Sequence, residues 1–416
     1  MVAQLILFTG LIIIIGYISS IFAEKTKIPE SLLLISMGFL IGPVFKVVDS
    51  SSIRDFVTSF TIIAIVIVLI DNGLEFNIPM LFKTMIDSTL FTLSVNILIT
   101  IIVGLVLSTI FKWNLLFSYF IGVISAGSTT IIIPFLLKDK EVQKDAKKLI
   151  SLESILNDTS LIIIAVAILE MIKTGEPRAM DAIIFGLRII LIEFVKGIIF
   201  AAIFFAIWFK SVKAIPTHKK RNYIFILGLL FILYSFTEIL QGNGIIAVLT
   251  FSILLGNVTS IMKLLKLKDK RYRKDHIETL KSIELIQMDF SFFTRSLFFV
   301  VLGLLIDINS YTLMTFAIAL TLILIILITR FVCVKSIFAI EHRYKKHKQN
   351  IITIVPKGFI ATLLIFLPYS EGIFIPQLGE VSVLIIVGMS FIAIYGNKLL
   401  KGKKAFIEKG ITDFKE

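Results

Sequence analysis

The sequence predicts an all-α integral membrane protein of thirteen transmembrane helices, built as an inverted repeat of about six helices each, with two broken helices that cross. Three observations predict this: the composition, the recurrence of long apolar runs, and the placement of the basic residues. Hydrophobic residues make up 57% of the 416-residue chain, Phe alone occurs 37 times, and the mean hydropathy is +0.97. Soluble domains average roughly 45–50% apolar residues even with Gly counted, so a water-facing surface cannot hide this much. The apolar runs are about 20 residues long, the length that spans ~30 Å of hydrocarbon. The strands of a membrane barrel would instead be ~10 residues long and alternate in polarity.

In chain order the predicted spans are 2–22, 29–46, 57–74, 87–111, 115–137, 148–172, 179–208, 223–241, 244–262, 285–306, 310–334, 350–368 and 379–397. With the span-edge residues Lys46 and Lys148 counted in the adjoining loops, the connections after the odd-numbered spans, together with the tail, hold 32 Lys/Arg, and those after the even-numbered spans hold five. Five more lie inside spans, which accounts for all 42. The positive-inside rule then places the N-terminus outside and the C-terminus in the cytoplasm, as a multi-pass protein of a prokaryotic plasma membrane. The net charge of +13 is therefore a topology signal, best seen in "KLKDKRYRKDH" (266–276), and not a nucleic-acid footprint. No separate soluble domain is visible. The division is a first repeat at 1–172 (helices 1–6), linker helix 7 and a cytoplasmic loop at 173–222, a second repeat at 223–397 (helices 8–13), and a basic cytoplasmic tail at 398–416. The lone Cys333 excludes an intrachain disulfide framework and a cysteine metal site.

The repeat rests on two coincidences at one offset. Span 3 ends "GLEFNI" (73–78) and span 10 ends "GLLIDI" (303–308), 230 residues later. The same offset lays "GSTT" (127–130) in span 5 over "KGFI" (357–360) in span 12, and both spans are apolar runs interrupted by Gly, Thr and Pro. Matching spans are seven apart, an odd number, so the two copies run in opposite senses. Inverted repeats with paired broken helices mark secondary transporters, whose site lies at the repeat interface near the midplane.

Span 6 contains "ESILND" (153–158) between apolar runs. A carboxylate at the bilayer centre costs at least ~2.5–3.5 kcal/mol on insertion scales, so these groups must face protein or water. At 100° per residue, Glu153, Ser154, Asn157 and Asp158 fall within an arc of about 140°, a single polar stripe. Asp71 and Glu75 close span 3, and Arg295, Arg330 and Lys357 lie in spans 10, 11 and 12. Buried ion pairs suit Glu193 with Lys196, one turn apart, and Glu153 with Arg330. Asp158 differs, because its neighbours on the stripe are neutral oxygen-bearing groups that suit a partly dehydrated cation. A carboxylate beside hydroxyl and carbonyl oxygens can hold Na⁺ or a proton but hardly both, which is the simplest exchanger. Half-helix ends in spans 5 and 12 would supply carbonyls and fixed dipoles, with Lys357 offsetting the negative ends. No phosphate-binding GxxxxGK[ST] run occurs, so an ion gradient and not ATP is the expected driver.

These residues carry a family resemblance. "ESILND" resembles the Glu-Ser-x-x-Asn-Asp motif of sodium/proton antiporters of the NhaP type, the electroneutral Asn-Asp branch of the cation/proton antiporter family. "LIDNGLEF" is similar to that family's Phe-Glu-Gly-Gly-Leu stretch, with Asp71 in the glutamate's place. "FFTRSLFFVVLGLLID" (292–307), "TRFVCV" (329–334) and "VPKGFIA" (355–361) resemble its arginine-bearing helices and its Pro-Arg-Gly stretch, with Lys357 for the last Arg. The resemblance implies an NhaA-like antiporter fold, a homodimer, and exchange of one Na⁺ or Li⁺ for one H⁺ with no cofactor. It implies Asp158 as the cation- and proton-binding carboxylate, with Ser154 and a backbone carbonyl near Thr129 or Thr130 as further Na⁺ ligands. It implies that Asp71 reaches the ion through water and that Glu153 pairs with Arg330 and orients Asn157. Arg295 and Lys357 complete the supporting set. The chain departs from the family in span 5, where Ser128-Thr129 replaces the usual Asp-Pro, and Lys357 lacks the bidentate fork of Arg.

The alternatives within transport are a potassium/proton exchanger or gated cation pathway of the same superfamily, and an organic-anion symporter of similar architecture. A membrane-embedded transferase would need an aspartate-rich metal cluster or a histidine acid/base set. All four histidines (His218, His276, His342, His347) lie in basic loops, and no such aspartate cluster occurs, so an enzyme is not the expectation.

Overall fold

Within hydrocarbon every backbone N–H and C=O has to be satisfied inside its own segment or by protein, and a helix achieves this residue by residue. A computed structural model of the chain describes residues 2–26, 28–46, 50–76, 78, 86–127, 144–174, 180–214, 222–264, 270–340 and 357–412. Among them are fourteen α-helices and no strand: α1 (Val2–Thr26), α2 (Glu30–Phe39), α3 (Ser50–Glu75), α4 (Ile86–Thr109), α5 (Leu115–Ala126), α6 (Lys144–Thr174), α7 (Met180–Ala214), α8 (Asn222–Ile239), α9 (Gly244–Gly256), α10 (Val258–Leu264), α11 (Lys270–Leu304), α12 (Leu313–Ile340), α13 (Phe359–Ser370) and α14 (Leu378–Thr412). Every predicted span carries one of these helices, and the ninth carries two. Six helices among the described residues are both long and apolar enough to cross a membrane, seven if the bent pair α9–α10 is one span.

Two breaks were not legible in the sequence. The second span leaves α2 through a π turn at Leu40–Val44 that contains Pro43, whose missing N–H cannot continue the ladder. The ninth span bends by 70° between α9 and α10. Asn257 sits at that bend, and its amide nitrogen donates to Ile253 O (2.8 Å) and to Phe76 O (2.6 Å). Its Oδ1 accepts from the N–H of Ile78 (2.8 Å), so one side chain fixes the bend to the chain just beyond α3. Other ends follow ordinary capping rules: Asn114 accepts from Phe117 N at the start of α5, and Asn243 accepts from Ile246 N at the start of α9.

Several helices outrun their predicted spans. α11 begins at Lys270, inside the basic stretch read as loop, and α14 runs to Thr412, deep in the predicted tail. Lys, Arg and Glu are good helix formers, so charge ends the membrane crossing without ending the helix.

Close packing brings α3 against α9 and α11 against α2. Both seams are glycine seams. A methyl group added at Gly73 would collide with Ser252, and one at Gly256 would meet Gly73 O. In the other seam, one at Gly38 would collide with Val300 O and one at Gly303 with Ile35 O. With no Cβ in the way the backbones touch directly, the usual means of joining helices in lipid. α6 lies among α3, α4, α5 and α13. Just past the predicted end of its span, Lys173 bonds Glu170 (3.1 Å) and, across to the end of α13, Glu371 (2.9 Å). Burial opposes the lysine charge there, but the two carboxylates outweigh it and hold its pKa above the ordinary lysine value.

Candidate functional site

Among the described side chains of the α6 stripe, Glu153 and Asn157 have partners on other helices and Asp158 has none. Glu153 Oε1 accepts from Arg330 Nη1 on α12 at 2.6 Å, with both side chains almost fully buried. The resemblance had suggested this pair, and the structure brings it together. The second oxygen of Glu153, Oε2, has no hydrogen-bond partner among the described residues. Asn157 turns to α4: its Nδ2 donates to Asn96 Oδ1 at 2.8 Å and makes a longer contact of 3.5 Å to Ala126 O. Asn96 Nδ2 donates to Ser160 Oγ (2.7 Å), and that hydroxyl donates to Asn157 O (3.0 Å), closing a buried ring of amides and hydroxyl. Among the described residues Asn157 is therefore oriented by Asn96, and no hydrogen bond to Glu153 replaces it.

Asp158 has no such companion. Its Oδ1 is buried with no hydrogen-bond partner among the described residues. The charges that act on it are Glu75 and Asp71 of α3, both of its own sign, and Arg295 of α11. Arg295 also acts electrostatically on Asp71, Glu75 and Glu30. The three acids grade in exposure: Glu75 is exposed, Asp71 half-buried, and the free oxygen of Asp158 fully buried. Beyond Asp158, away from Glu75, an apolar pocket is lined by Ile65, Val68, Ile162, Val166, Ile245 and Leu364. The acids thus lead inward from one side, and hydrocarbon closes the other.

The described parts of spans 5 and 12 meet beside α6. α5 ends at Ala126 with its last carbonyls pointing out of the helix, and α13 begins at Phe359 with Gly358 as its N-cap. Gly127 packs on Ala361, where any Cβ would clash. Lys357 is buried and its Nζ donates to Ser125 O, while Asn157 Nδ2 reaches Ala126 O. An ammonium on a helix C-terminus offsets the negative end of the dipole, the role the sequence assigned to Lys357.

Thr129 and Thr130 lie outside the described residues, as does the side chain of Ser154. Glu193 and Lys196 are not brought together as an ion pair. Lys196 Nζ instead donates to Leu240 O (3.1 Å) and Gln241 O (3.0 Å), because the last carbonyls of α8 have no intrahelical donor. Sequence reasoning missed Asn96, Glu30, Ser291 and Gln287. Asn96 in "LSVNILIT" and Gln287 in "IELIQMDF" are isolated amides in lipid-compatible helices, and that isolation was the available signal. No group of three or more His, Cys, Asp or Glu among the described residues converges to hold a metal ion.

Helix ends meeting beside a helix that carries a buried carboxylate are an arrangement suited to passing an ion. The family described as "Sodium/hydrogen exchanger, transmembrane" matches residues 10–398. The chain belongs to that family. The exchanger's fold is similar to that of the sodium proton antiporter MjNhaP1 from Methanocaldococcus jannaschii at pH 8, with a TM-score of 0.74 and 20% identity, covering 94% of this chain and 98% of that one. An electron-microscopy structure of the same antiporter matches with a TM-score of 0.66 and 19% identity, over 98% of this chain and 97% of that one. At this identity the likeness speaks for the fold, and the family match over nearly the whole chain speaks for sodium/hydrogen exchange by a transporter and against an enzyme.

Proposed function

We propose that exchange occurs at Asp158, with Na⁺ or Li⁺ and H⁺ competing one for one for its carboxylate. The observation that carries this is the buried Asp158 Oδ1, which has no donor among the described residues while Asp71 and Glu75 add like charge nearby. A buried ionised carboxylate without a partner is too costly to keep, so the site is complete only when a cation or a proton occupies it. Ser154 and a backbone carbonyl near Thr129 or Thr130 are the further ligands in this reading, and Asp71 contributes through water. Arg295 tempers the acid cluster so that a single added cation balances it. Asn157, a neutral amide where a second aspartate would add a charge, supports an electroneutral 1:1 cycle.

The graded acids make the Glu75 side the entrance in the described conformation, and the basic loops make that side cytoplasmic, with the N-terminus outside and the C-terminus in the cytoplasm. The paired glycine seams, α3 on α9 and α11 on α2, support a division into inverted repeats at 1–172 and 223–397. They are related as span 3 with span 9 is to span 10 with span 2. In the cycle α5, α6 and α13 shift against the rest, the apolar layer beyond Asp158 opens, and the entrance closes. The protein works in this reading as a homodimer in a prokaryotic plasma membrane, and it needs no cofactor.

The test is dissipation of a pH gradient in proteoliposomes after adding Na⁺, Li⁺ or K⁺. Wild type dissipates it with Na⁺ or Li⁺, and folded Asp158→Asn does not. A response to K⁺ alone would move the ion assignment to a potassium/proton exchanger, and activity in Asp158→Asn would remove Asp158 from the mechanism.

A further inference from the structure

Gln287 is a fully buried amide outside the α6 stripe that makes three side-chain hydrogen bonds. It sits on α11, two turns before Arg295, with no surface exposed. Its Nε2 donates to Ile67 O on α3 at 2.6 Å and to Ser291 Oγ on its own helix at 2.9 Å. Its Oε1 accepts from Tyr223 OH on α8 at 3.0 Å. Every strong hydrogen-bonding group of the amide is used, and three helices are joined through it.

Both ends of this network converge on Asp71. Ile67 is one turn before Asp71 on α3, so Gln287 holds the turn from which Asp71 projects. Ser291, whose oxygen accepts from Gln287, presents its hydroxyl side to the Asp71 carboxylate. One turn further along α11, Arg295 acts on the same carboxylate and on Asp158. With Gln287 Nε2 donating to it, the Ser291 oxygen is held on the Asp71 side of α11 and keeps its proton for an acceptor there.

We infer that Gln287, through Ser291 and the turn at Ile67, is a positioning residue for Asp71 and sets the affinity of the exchanger for its alkali cation. A long amide in a membrane helix that only glued helices together would satisfy this packing equally well without the Ser291 link. The aimed hydroxyl is what ties it to the ion path. The inference rests on the reading of Asp158 as the exchange site with Asp71 acting beside it. It adds a determinant on α11 and α8, away from the α6 motif. The cost of losing it falls on cation binding, because the carboxylate of Asp158 that takes the proton is untouched.

The experiment measures Na⁺-dependent exchange in proteoliposomes for Gln287→Met, Ser291→Ala, Ser291→Thr and Tyr223→Phe, beside wild type and Asp158→Asn. Each variant is first checked for a single monodisperse species and its unfolding temperature. Gln287→Met keeps the shape and removes the amide, and the apparent KM for Na⁺ is expected to rise about tenfold, the scale of one buried hydrogen bond. Turnover at saturating Na⁺ should stay within about twofold, since an interaction equal in ground and transition states moves KM alone. Ser291→Ala should shift KM in the same way, Ser291→Thr should restore it by keeping the hydroxyl, and Tyr223→Phe should give a smaller rise. If Gln287→Met does not fold, the Ala/Thr pair at 291 decides. A wild-type KM in folded Gln287→Met, or equal KM values for Ser291→Ala and Ser291→Thr, overturns the inference and leaves Gln287 a structural pin. Exchange persisting in Asp158→Asn would instead overturn the site reading, so the two failures are distinguishable.

Discussion

Two parts of one motif, a turn and a half apart on α6, live in opposite circumstances. Glu153 and Asn157 are bonded: one to Arg330 at 2.6 Å, the other to Asn96 at 2.8 Å. Asp158, beside them, buries an oxygen with no donor among the described residues. The contrast separates scaffolding from work. A carboxylate in lipid that is paired with a guanidinium holds helices together, and one with no ion pair or hydrogen bond among the described residues is open to a cation that arrives from outside.

The largest effect expected from breaking that contrast is at Asp158. Asp158→Asn should abolish exchange without unfolding the protein, since it removes a carboxylate that makes no hydrogen bond or ion pair among the described residues. Wild type should also gain thermal stability on adding Na⁺, by about 2.7 kcal/mol at a hundred times Kd. The variant should gain none, and a Na⁺-dependent rise in its unfolding temperature would place the cation elsewhere.

Next comes the partnered end. Arg330→Met strands the Glu153 carboxylate in the core and should destabilise by about 3–5 kcal/mol, the cost of halving a buried ion pair. Glu153→Gln combined with Arg330→Met should recover most of that loss. Chemical denaturation of both variants checks it, and a double variant as weak as the single one would mean that the pair does more than neutralise itself.

Asn96→Leu should cost about 1–3 kcal/mol, because Asn157 Nδ2 and Ser160 Oγ each lose a buried partner. Exchange should survive at reduced rate if the amide ring is scaffolding. Complete loss of exchange in folded Asn96→Leu would move the ring into the ion site.

The smallest effect is at the far end of α6. Lys173 is part-exposed, so Lys173→Gln should cost less than about 1 kcal/mol. Its pKa is held above the ordinary lysine value by Glu371 and Glu170. The contribution is therefore full below the unfolded lysine pKa and is lost as pH rises through the higher folded value. Unfolding temperatures of wild type and variant should converge only in that alkaline range.

The membrane class and the motif on α6 were legible in the sequence because each is written in one dimension. Span length follows from the rise of a helix and the thickness of hydrocarbon, and the stripe from 100° per residue. The ends of α11 and α14 were not, because a helix does not stop where apolarity stops. The pairing of Glu193 with Lys196 was expected from spacing alone, yet the unpaired carbonyls ending α8 took the lysine.

By itself the sequence determined that this chain crosses a membrane many times as helices, that basic loops mark one side, and that a carboxylate stripe sits mid-span. It did so because burying such residues anywhere else would cost too much. Only the tertiary structure decided which polar groups are satisfied. Asn96 reaching Asn157 across 61 positions, Arg330 reaching Glu153 across 177, and Gln287 reaching the turn before Asp71 across 220 are matters of helices meeting in space. Whether a buried group has a partner depends on atoms a few ångströms away, and sequence separation does not say which atoms those are.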